Sequence, residues 1–496
     1  MYKARKSLGR IACLLGTMLF LQSCSLIVIN NPTANGYGPE DTGGDAVTIQ
    51  PSDQNGADLP PKVDNEATYR AYANAYLESV KAKGFYYDGA TVFLSAPYES
   101  IVESDSASDI YSKARYERNR AVEKALGVRI AVTETDADSL LDNLQASIRA
   151  DEYFADLILV QQKDIGTFAA ADVLFNLRSA PFLDLSQPYF DAASVEAATA
   201  GHKTYAVAGP ASFEETSLSA VFFNRDLMER YNLDLPYQSV YNGSWTWDAF
   251  FRYCAAVSDI NGSEGTSLHS FSTQYAAKNM PGNVFISCGG KFVDAPLNTT
   301  PSVHFSQDDS ALAEIITRLY SDPHANKDTS AGVSQFHSGN SLFLLDRLYL
   351  MSWMPNSSQN WGILPMPKYS EEQPDYISLT DETSLFFAIQ KNTVNAEMAS
   401  VVLSALNAAS YGILTDAYVD LAINDLLRDN DSANMLEIIS HSRTYDFGLA
   451  FGPANTALTS ATFGGMSDLA AGTSFAKICA RIPAADKELA AKYAAG

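Results

Sequence analysis

Between residues 66 and 160, short apolar runs alternate with segments that have a helical period. The apolar runs, which predict strands, are residues 91–96, 128–132 and 156–160. The segments with a helical period are residues 66–83, 109–126 and 137–149. Because strands and helices alternate at this spacing and the strands are almost wholly apolar, the pattern predicts an α/β fold with a parallel sheet buried on both faces.

The same kind of pattern continues to residue 428 without an internal repeat. Further predicted strands are residues 205–207, 220–224, 362–365 and 385–389. Further predicted helices are residues 225–231, 246–257, 310–321, 395–411 and 416–428. Helix 246–257 has Thr246 as its N-cap and Asp248 in its first turn, and both favour a helix start. Residues 342–353 fit either a helix or a strand.

The N-terminus has the organisation of a secretory signal peptide, residues 1–23. Four basic residues and no acidic residue occur among the first ten, and an apolar run of residues 11–21 follows. The run is shorter than the about 20 apolar residues of a membrane-spanning helix. Cys24 follows Ser23 at the end of the run, which resembles a bacterial lipobox with a lipidated cysteine. We expect this lipidation; the alternative is an ordinary signal peptide with an incidental cysteine.

Residues 24–65 are rich in Asn, Gly, Pro, Asp and Thr and predict a flexible acidic tether. The whole chain has 34 Lys and Arg residues against 58 Asp and Glu residues, a net charge of −24. Residues 1–23 hold four positive charges and no negative one, so the exported chain has 30 against 58, a net charge of −28. This acidity argues against nucleic acid and against a basic membrane patch, so we expect membrane contact through the lipid.

The common catalytic and metal-binding motifs are missing. The sequence has no HExxH, GxSxG, P-loop, GxGxxG or CxxC motif, and its six histidines lack ligand spacing, so we expect no metal and no cofactor. A glycosidase acid pair stays open, because two carboxylates that meet in space leave no sequence signature. Beyond Cys24 the cysteines are Cys254, Cys288 and Cys479; the first two can form a disulfide, or all three can be unpaired.

Three segments resemble the extracellular solute-binding proteins of ABC importers, in particular the carbohydrate-type family. Residues 218–257 contain LSAVFFNRDLMERYNLDLP and then GSWTWDAFFRYCAAV, in which the WTWD sequence is similar to a family motif that opens a helix. Residues 361–368 read WGILPMPK, similar to a GxxPxPK stretch of the family. Residues 418–446 contain YVDLA, MLEII and RTYD and resemble a lipoprotein branch of Gram-positive bacteria. The resemblance covers roughly residues 91–451.

The resemblance implies a two-lobed periplasmic-binding-protein-like fold. Each lobe is expected to be a mainly parallel sheet flanked by helices, with a hinge between the lobes. We place lobe 1 at residues 66–215 and 376–430, and lobe 2 at residues 216–375 and 431–496. The ligand is then expected between the lobes, beyond the carboxyl ends of strands.

Candidate ligand-binding residues follow predicted strands or stand where the resemblance places the cleft. They are Tyr98, Glu99, Gln161, Gln162, Tyr275, Trp353, Asp381 and Glu382. A sugar suits planar polar side chains and aromatic rings, because it offers hydroxyls in the ring plane and an apolar C–H face. Trp245 and Trp247 are expected to pack mainly against their own helix. Asp381 and Glu382 depart from the small or aromatic residues of the family, and would equally suit a cationic or peptide-like ligand.

The sequence therefore predicts a lipid-anchored, monomeric substrate-binding component of an ABC importer at the outer face of the bacterial cytoplasmic membrane. It is expected to capture a carbohydrate or oligosaccharide by hinge closure, to deliver it to permease subunits, and to carry out no chemistry. The alternatives are a surface-anchored glycoside hydrolase and a binder of the same fold for a non-sugar solute, such as a peptide or a cationic small molecule.

Overall fold

The structure is a computed structural model that describes residues 66–98, 102, 109–212, 215–354, 359–427 and 429–494. The predicted signal peptide, the lipidated Cys24, the tether and the candidate residue Glu99 lie outside the described residues.

The strands of the described residues are two to seven residues long. They are β1 Ala90–Ala96, β2 Val128–Glu134, β3 Leu157–Gln161, β4 Thr199–Ala200, β5 Lys203–Thr204, β6 Ser219–Asn224, β7 His269–Ser272, β8 Val293–Asp294, β9 Ser302–Val303, β10 Ser341–Arg347, β11 Trp361–Leu364, β12 Ser378–Leu379, β13 Leu385–Ile389 and β14 Arg443–Thr444.

Helices separate most of these strands and continue alone after β14. They are α1 Glu66–Ala82, α2 Ile110–Leu126, α3 Ala137–Ala150, α4 Ile165–Ala170, α5 Ala192–Ala197, α6 Arg225–Arg230, α7 Tyr237–Tyr241, α8 Trp247–Glu264, α9 Met280–Ser287, α10 Ser310–Tyr320, α11 Gly332–His337, α12 Ala396–Ser410, α13 Ile413–Leu421, α14 Asn430–His441, α15 Phe447–Phe451, α16 Thr456–Ala461, α17 Phe463–Ala470, α18 Phe475–Cys479 and α19 Ile482–Tyr493.

The first sheet has the strand order β13–β3–β1–β2. β1 pairs in parallel with β2 and β3, whereas β13 pairs antiparallel with β3. The apolar residues of β3 and β13 are buried, as the unbroken apolar runs predict. On one side α12 packs against α1 and α2, and every residue of α12 from Met398 to Ser410 is buried. The predicted α/β fold is confirmed for this half of the molecule.

The second sheet has the strand order β11–β6–β10–β7. β6 pairs antiparallel with both β10 and β11, and β10 pairs in parallel with β7. The mainly parallel arrangement that was expected in each lobe is therefore found in the first sheet, whereas two of the three strand pairs of the second sheet are antiparallel. Helix α8 covers this sheet and starts at the predicted N-cap Thr246, whose hydroxyl accepts the Ala249 N–H. Trp245 and Trp247 are fully buried beside this helix start, and their indole N–H groups donate to the Pro365 carbonyl and the Ser287 hydroxyl. Their predicted packing role is confirmed.

Within the described residues, three segments carry the chain between the two sheets: residues 215–218, 378–381 and 443–446, here called the crossing region. Leu218 forms a bridge with Thr380, and β12 pairs in parallel with β14. The three segments therefore lie side by side. Because few residues connect the two lobes, changes of backbone angle in the crossing region can turn one lobe against the other.

One predicted strand is wrong, and the structure decides one run that the sequence left open between helix and strand. Residues 205–207 are not a strand, since only Val207 forms an isolated bridge beside β13; the apolar run there reflects burial rather than sheet pairing. The ambiguous run of residues 342–353 is a strand as far as Arg347 and a 3₁₀ helix over Leu348–Ser352. No single helix of the described residues is long and apolar enough to cross a membrane; α12 and residues 413–426 meet that criterion only as a pair bent by 47°.

Cys254 and Cys288 are buried free cysteines, so the disulfide that the sequence allowed is not formed. The Cys254 thiol lies near Asp322 and Ser270, whereas the Cys288 thiol lies near Ser287 and the Trp247 indole. Burial raises the pKa of the Cys288 thiol to about 12 and that of Cys254 well above its ordinary value. The alternative of unpaired cysteines holds, and Cys479 is also free.

Candidate functional site

A cavity of about 190 Å³ lies at the junction of the second sheet with the crossing region. The second sheet provides the start of β6 and the end of β10, the segment between β7 and α9 provides a further wall, and residues 379–383 provide the opposite wall. The lining residues are Ser219, Tyr275, Ala276, Lys278, Asn279, Asn283, Arg347, Leu379, Thr380, Asp381, Glu382, Thr383 and Leu449. Among the predicted site residues, Tyr275, Asp381 and Glu382 are in this lining.

An aromatic cluster of Tyr275, Tyr349 and Trp353 stands at one wall of the cavity. The Trp353 ring meets the rings of Tyr275 and Tyr349 edge-on, with centroids 5.4 and 5.5 Å apart. Tyr275 is 41% exposed and Trp353 is half-buried, so neither ring belongs to the closed core of a lobe. The predicted Trp353 therefore reaches the cavity wall through its contact with Tyr275, rather than as a lining residue.

Arg347 and Asp381 form an ion pair across the cavity, from the end of β10 to the crossing region. The guanidinium also lies 5.9 Å from the Tyr275 ring centroid and 5.5 Å from that of Tyr349. Burial by itself would lower the pKa of Arg347, but the adjacent Asp381 outweighs burial and raises it. The second Asp381 oxygen accepts from the N–H and hydroxyl of Thr383, so both oxygens of this carboxylate have partners.

Glu382 makes a second polar connection between the two lobes. Its main chain belongs to the first-sheet lobe, where the Glu382 carbonyl accepts the Lys163 N–H at 3.0 Å. Its carboxylate accepts from the Lys278 ammonium at 3.1 Å and from the Asn279 amide at 3.0 Å, both between β7 and α9. Burial acts to raise the pKa of Glu382, but the hydrogen bonds from Asn279 and Lys278 outweigh it and the pKa is lowered.

Gln161 and Gln162, at the end of β3, lie next to the segment that holds Asp381 and Glu382, because the Gln162 N–H donates to the Ser384 carbonyl. The Gln162 side chain is fully buried. Its amide donates to the Asp446 carbonyl and accepts from the Thr380 hydroxyl, each at 3.1 Å.

The structure thus gives Gln162 a role inside the crossing region, while the half-buried Gln161 borders it. Tyr98 follows β1 at the same edge of the sheet and packs against the core, outside the cavity lining.

Sequence reasoning missed most of the polar lining. These residues are Ser219, Lys278, Asn279, Asn283, Arg347, Thr380 and Thr383. A signal was available for Arg347, because an Asp-Arg pair ends the apolar run of β10 and charged residues at strand ends often face a cleft. Arg347 could be inferred in this way only if residues 342–347 were predicted as a strand, and the sequence left those residues open between helix and strand.

The charged residues of the lining balance one another. Lys278 and Arg347 stand against Asp381 and Glu382, each cation in contact with one of the two anions. The remaining polar groups are amides and hydroxyls, among them Asn279, whose amide is bound to Glu382, and Asn283, whose amide donates to the Ser219 hydroxyl at 2.7 Å. In the described residues no group of three or more His, Cys, Asp or Glu side chains could hold a metal ion. The cavity is polar but has no net charge.

Two α/β lobes joined by a crossing region, with a polar cavity at their junction, define a two-lobed binding protein. A family model of bacterial extracellular solute-binding proteins matches residues 104–406, more than half of the chain, and the chain belongs to this family. The resemblance seen in the sequence is confirmed by this match. A comparison with curated protein sequences found no match.

Solved structures of similar fold cover about four-fifths of the chain. One is the maltose-binding periplasmic protein of Listeria monocytogenes in complex with maltose, at 14% identity and a TM-score of 0.55, covering 82% of this chain and 100% of that chain. Another, with the same four values, is the cyclic α-maltosyl-1,6-maltose binding protein of Arthrobacter globiformis. A third is the sugar-binding protein MalE of Xanthomonas citri, at 14% identity and a TM-score of 0.55, covering 81% and 98%. At such identities the similarity is one of fold.

Proposed function

We propose that this protein is the substrate-binding component of an ABC importer and that its solute is a carbohydrate or oligosaccharide. The observation that carries the proposal is a polar cavity with no net charge and an exposed tyrosine ring at its wall. Amide and hydroxyl groups can bond sugar hydroxyls, and an aromatic ring can cover the C–H face of a sugar. The solved structures of similar fold support this solute class, since they bind maltose and a cyclic maltosyl-maltose.

Solute capture proceeds by closure of the two lobes. The cavity walls come from both sides of the crossing region, so a bound sugar contacts both lobes at once only when they are close together. A solute shifts such an equilibrium only by the difference between its affinities for the closed and open states. The permease subunits then receive solute from the closed form.

We further propose that the protein carries out no chemistry on its solute. A glycoside hydrolase needs a carboxylic acid whose pKa is raised, so that it can protonate the leaving group. In the cavity Asp381 is paired with Arg347, and the pKa of Glu382 is lowered. This arrangement favours the binding function over the hydrolase alternative.

The non-sugar alternative is disfavoured by the same ion pairs. A cationic solute would need unneutralised carboxylates, whereas Asp381 and Glu382 are already in contact with Arg347 and Lys278. Breaking either pair to bind a cation would leave a protein cation without its partner, which costs free energy where the pair is partly buried.

The protein is proposed to act as a monomer at the outer face of the cytoplasmic membrane, attached through a lipid on Cys24. The lobes are proposed to comprise residues 66–215 with 376–430 and residues 216–375 with 431–496. Replacing Cys24 by Ser tests the anchor: we expect the protein to move from the membrane fraction to the culture medium. A Cys24→Ser protein that stays in the membrane fraction would contradict the lipid attachment.

A thermal-shift screen of the purified exported chain tests the function. Maltose, maltotriose and other mono- and oligosaccharides are compared with amino acids, short peptides and spermidine, and each sugar is analysed for breakdown after incubation. We expect a rise in melting temperature with at least one sugar and no product. Stabilisation only by a peptide or by spermidine would refute the carbohydrate assignment, and sugar cleavage would refute the binding function.

A further inference from the structure

The carboxylate of Asp346 lies beneath the cavity wall and is fully buried. One of its oxygens accepts the backbone N–H groups of Gln274 and Tyr275, at 2.9 and 2.8 Å. The other accepts the N–H groups of Ala276 and Arg347, at 3.1 and 2.9 Å. Two hydrogen bonds at each oxygen fill the four acceptor positions that an ionised carboxylate offers.

These four hydrogen bonds join two separate parts of the site. Three consecutive N–H groups belong to the segment between β7 and α9, which presents Tyr275 to the cavity. The fourth belongs to Arg347, at the end of β10, whose guanidinium pairs with Asp381 of the crossing region. Asp346 therefore sets the relative position of an aromatic ring and a cation that line the same cavity.

Only a carboxylate suits this position. An asparagine has the same shape, but one of its two terminal groups is an NH₂ donor. That donor would face two backbone N–H groups in a space closed to water, and those two N–H groups would lose their acceptor. Because a buried donor without an acceptor is strongly unfavourable, the segment of Gln274–Ala276 would be expected to move away from β10.

We propose that Asp346 is a positioning residue of the solute site, which holds the Tyr275 segment and Arg347 in the arrangement that receives the sugar. The assignment of the solute rests on the proposed function, whereas the positioning role of Asp346 is a property of the protein without solute. The two can therefore be tested separately.

The first test is amide hydrogen exchange, resolved to single residues, in the protein without solute. We expect Asp346→Asn to speed exchange at Gln274, Tyr275 and Ala276 by at least about tenfold, with the amides of β10 that pair with β6 unchanged. The matched control is Asp156→Asn, since Asp156 is also fully buried and accepts a backbone N–H, that of Phe93 in the first sheet. Exchange at 274–276 that is unchanged in Asp346→Asn, or equally fast in Asp156→Asn, would overturn the proposal.

The second test is calorimetric titration with maltotriose at a temperature where both variants are folded. We expect Asp346→Asn to bind at least about tenfold more weakly than the wild type, and Asp156→Asn to bind within about twofold of it. Equal weakening in both variants would show a general loss of stability and overturn the positioning role. If the wild type binds no maltotriose, that result counts against the choice of solute, and the exchange test still decides the role of Asp346.

A wild-type measurement covers the case in which Asp346→Asn does not fold. If the carboxylate holds the segment, the amides of Gln274 and Tyr275 exchange at least about tenfold more slowly than unbonded loop amides. Exchange at the rate of unbonded loop amides would overturn the proposal without any variant.

Discussion

The buried carboxyl group of Glu215, in the crossing region, predicts how stability depends on pH. Its side chain is fully buried, and one oxygen accepts the Ser440 hydroxyl at 2.6 Å. Burial raises its pKa from 4.5 to about 7, although the Arg443 charge and the Ser440 hydrogen bond oppose this. The Tyr418 and Tyr445 side chains are also near enough to this carboxyl group to interact with it electrostatically. Replacing Glu215 by Gln removes the titrating group and keeps its shape.

The sign follows from the direction of the pKa shift. Since the folded state binds the proton of Glu215 more tightly than the unfolded state does, the folded state is favoured at low pH. This stabilisation decreases as the pH rises from about 4.5 to about 7, where the folded group ionises. A rise of the pKa from 4.5 to about 7 corresponds to about 3 kcal/mol of unfolding free energy. Above pH 7, Glu215→Gln should therefore be more stable than the wild type, by up to about 3 kcal/mol.

The assay is urea unfolding of both proteins at pH 5 and pH 8. We expect the stability advantage of Glu215→Gln to be small at pH 5 and to grow by about 2–3 kcal/mol at pH 8. Asp446, whose pKa burial also raises to about 7, is present in both proteins and cancels in the comparison. Glu437→Gln, at an exposed position of the helix that carries Ser440, is the control for replacing a surface carboxylate. A difference between Glu215→Gln and wild type that does not change with pH, or that favours the wild type at pH 8, would refute this reasoning.

Three further predictions concern the site and the thiols. Glu382→Gln should weaken sugar binding about fivefold in calorimetry, because it removes an ion pair and a charged hydrogen bond between the lobes. The control is Asp248→Asn, which breaks an ion pair within the second lobe and should leave sugar affinity unchanged. Equal weakening of sugar binding in both variants would contradict this. Trp353→Ala should weaken binding by about tenfold through loss of the aromatic cluster, with unchanged circular dichroism; unchanged affinity would contradict it. Cys254 and Cys288, buried and with raised pKa, should react with a thiol reagent only after urea unfolding, when the labelled positions are identified by peptide mapping. Rapid labelling of either of these two cysteines in the folded protein would contradict this; labelling of the partly buried Cys479 would not.

Much of the fold could be predicted because the relevant signals are local. A strand buried on both faces must be apolar at every position, and the predicted β3 and β13 are buried as expected. Thr246 caps α8 by a hydrogen bond three residues along the chain, so the sequence alone indicates where that helix starts. Residues 205–207 were wrongly predicted as a strand because burial and sheet pairing produce the same apolar pattern.

The sequence by itself indicated most of the elements of the first sheet and its helices, an export signal as an expectation, and the family, because each depends on residues that are near one another in the chain. The site depended on contacts between distant residues. Arg347 is 34 positions from Asp381, and Gln162 is 218 positions from Thr380, yet each pair is in contact. Only the packing of the three crossing segments decided that Gln162 is buried within the crossing region and that Asp381 faces a cation. The sequence does not distinguish a charged or amide side chain that contacts a protein partner from one that contacts solvent. Only the tertiary structure shows which of the two contacts is made.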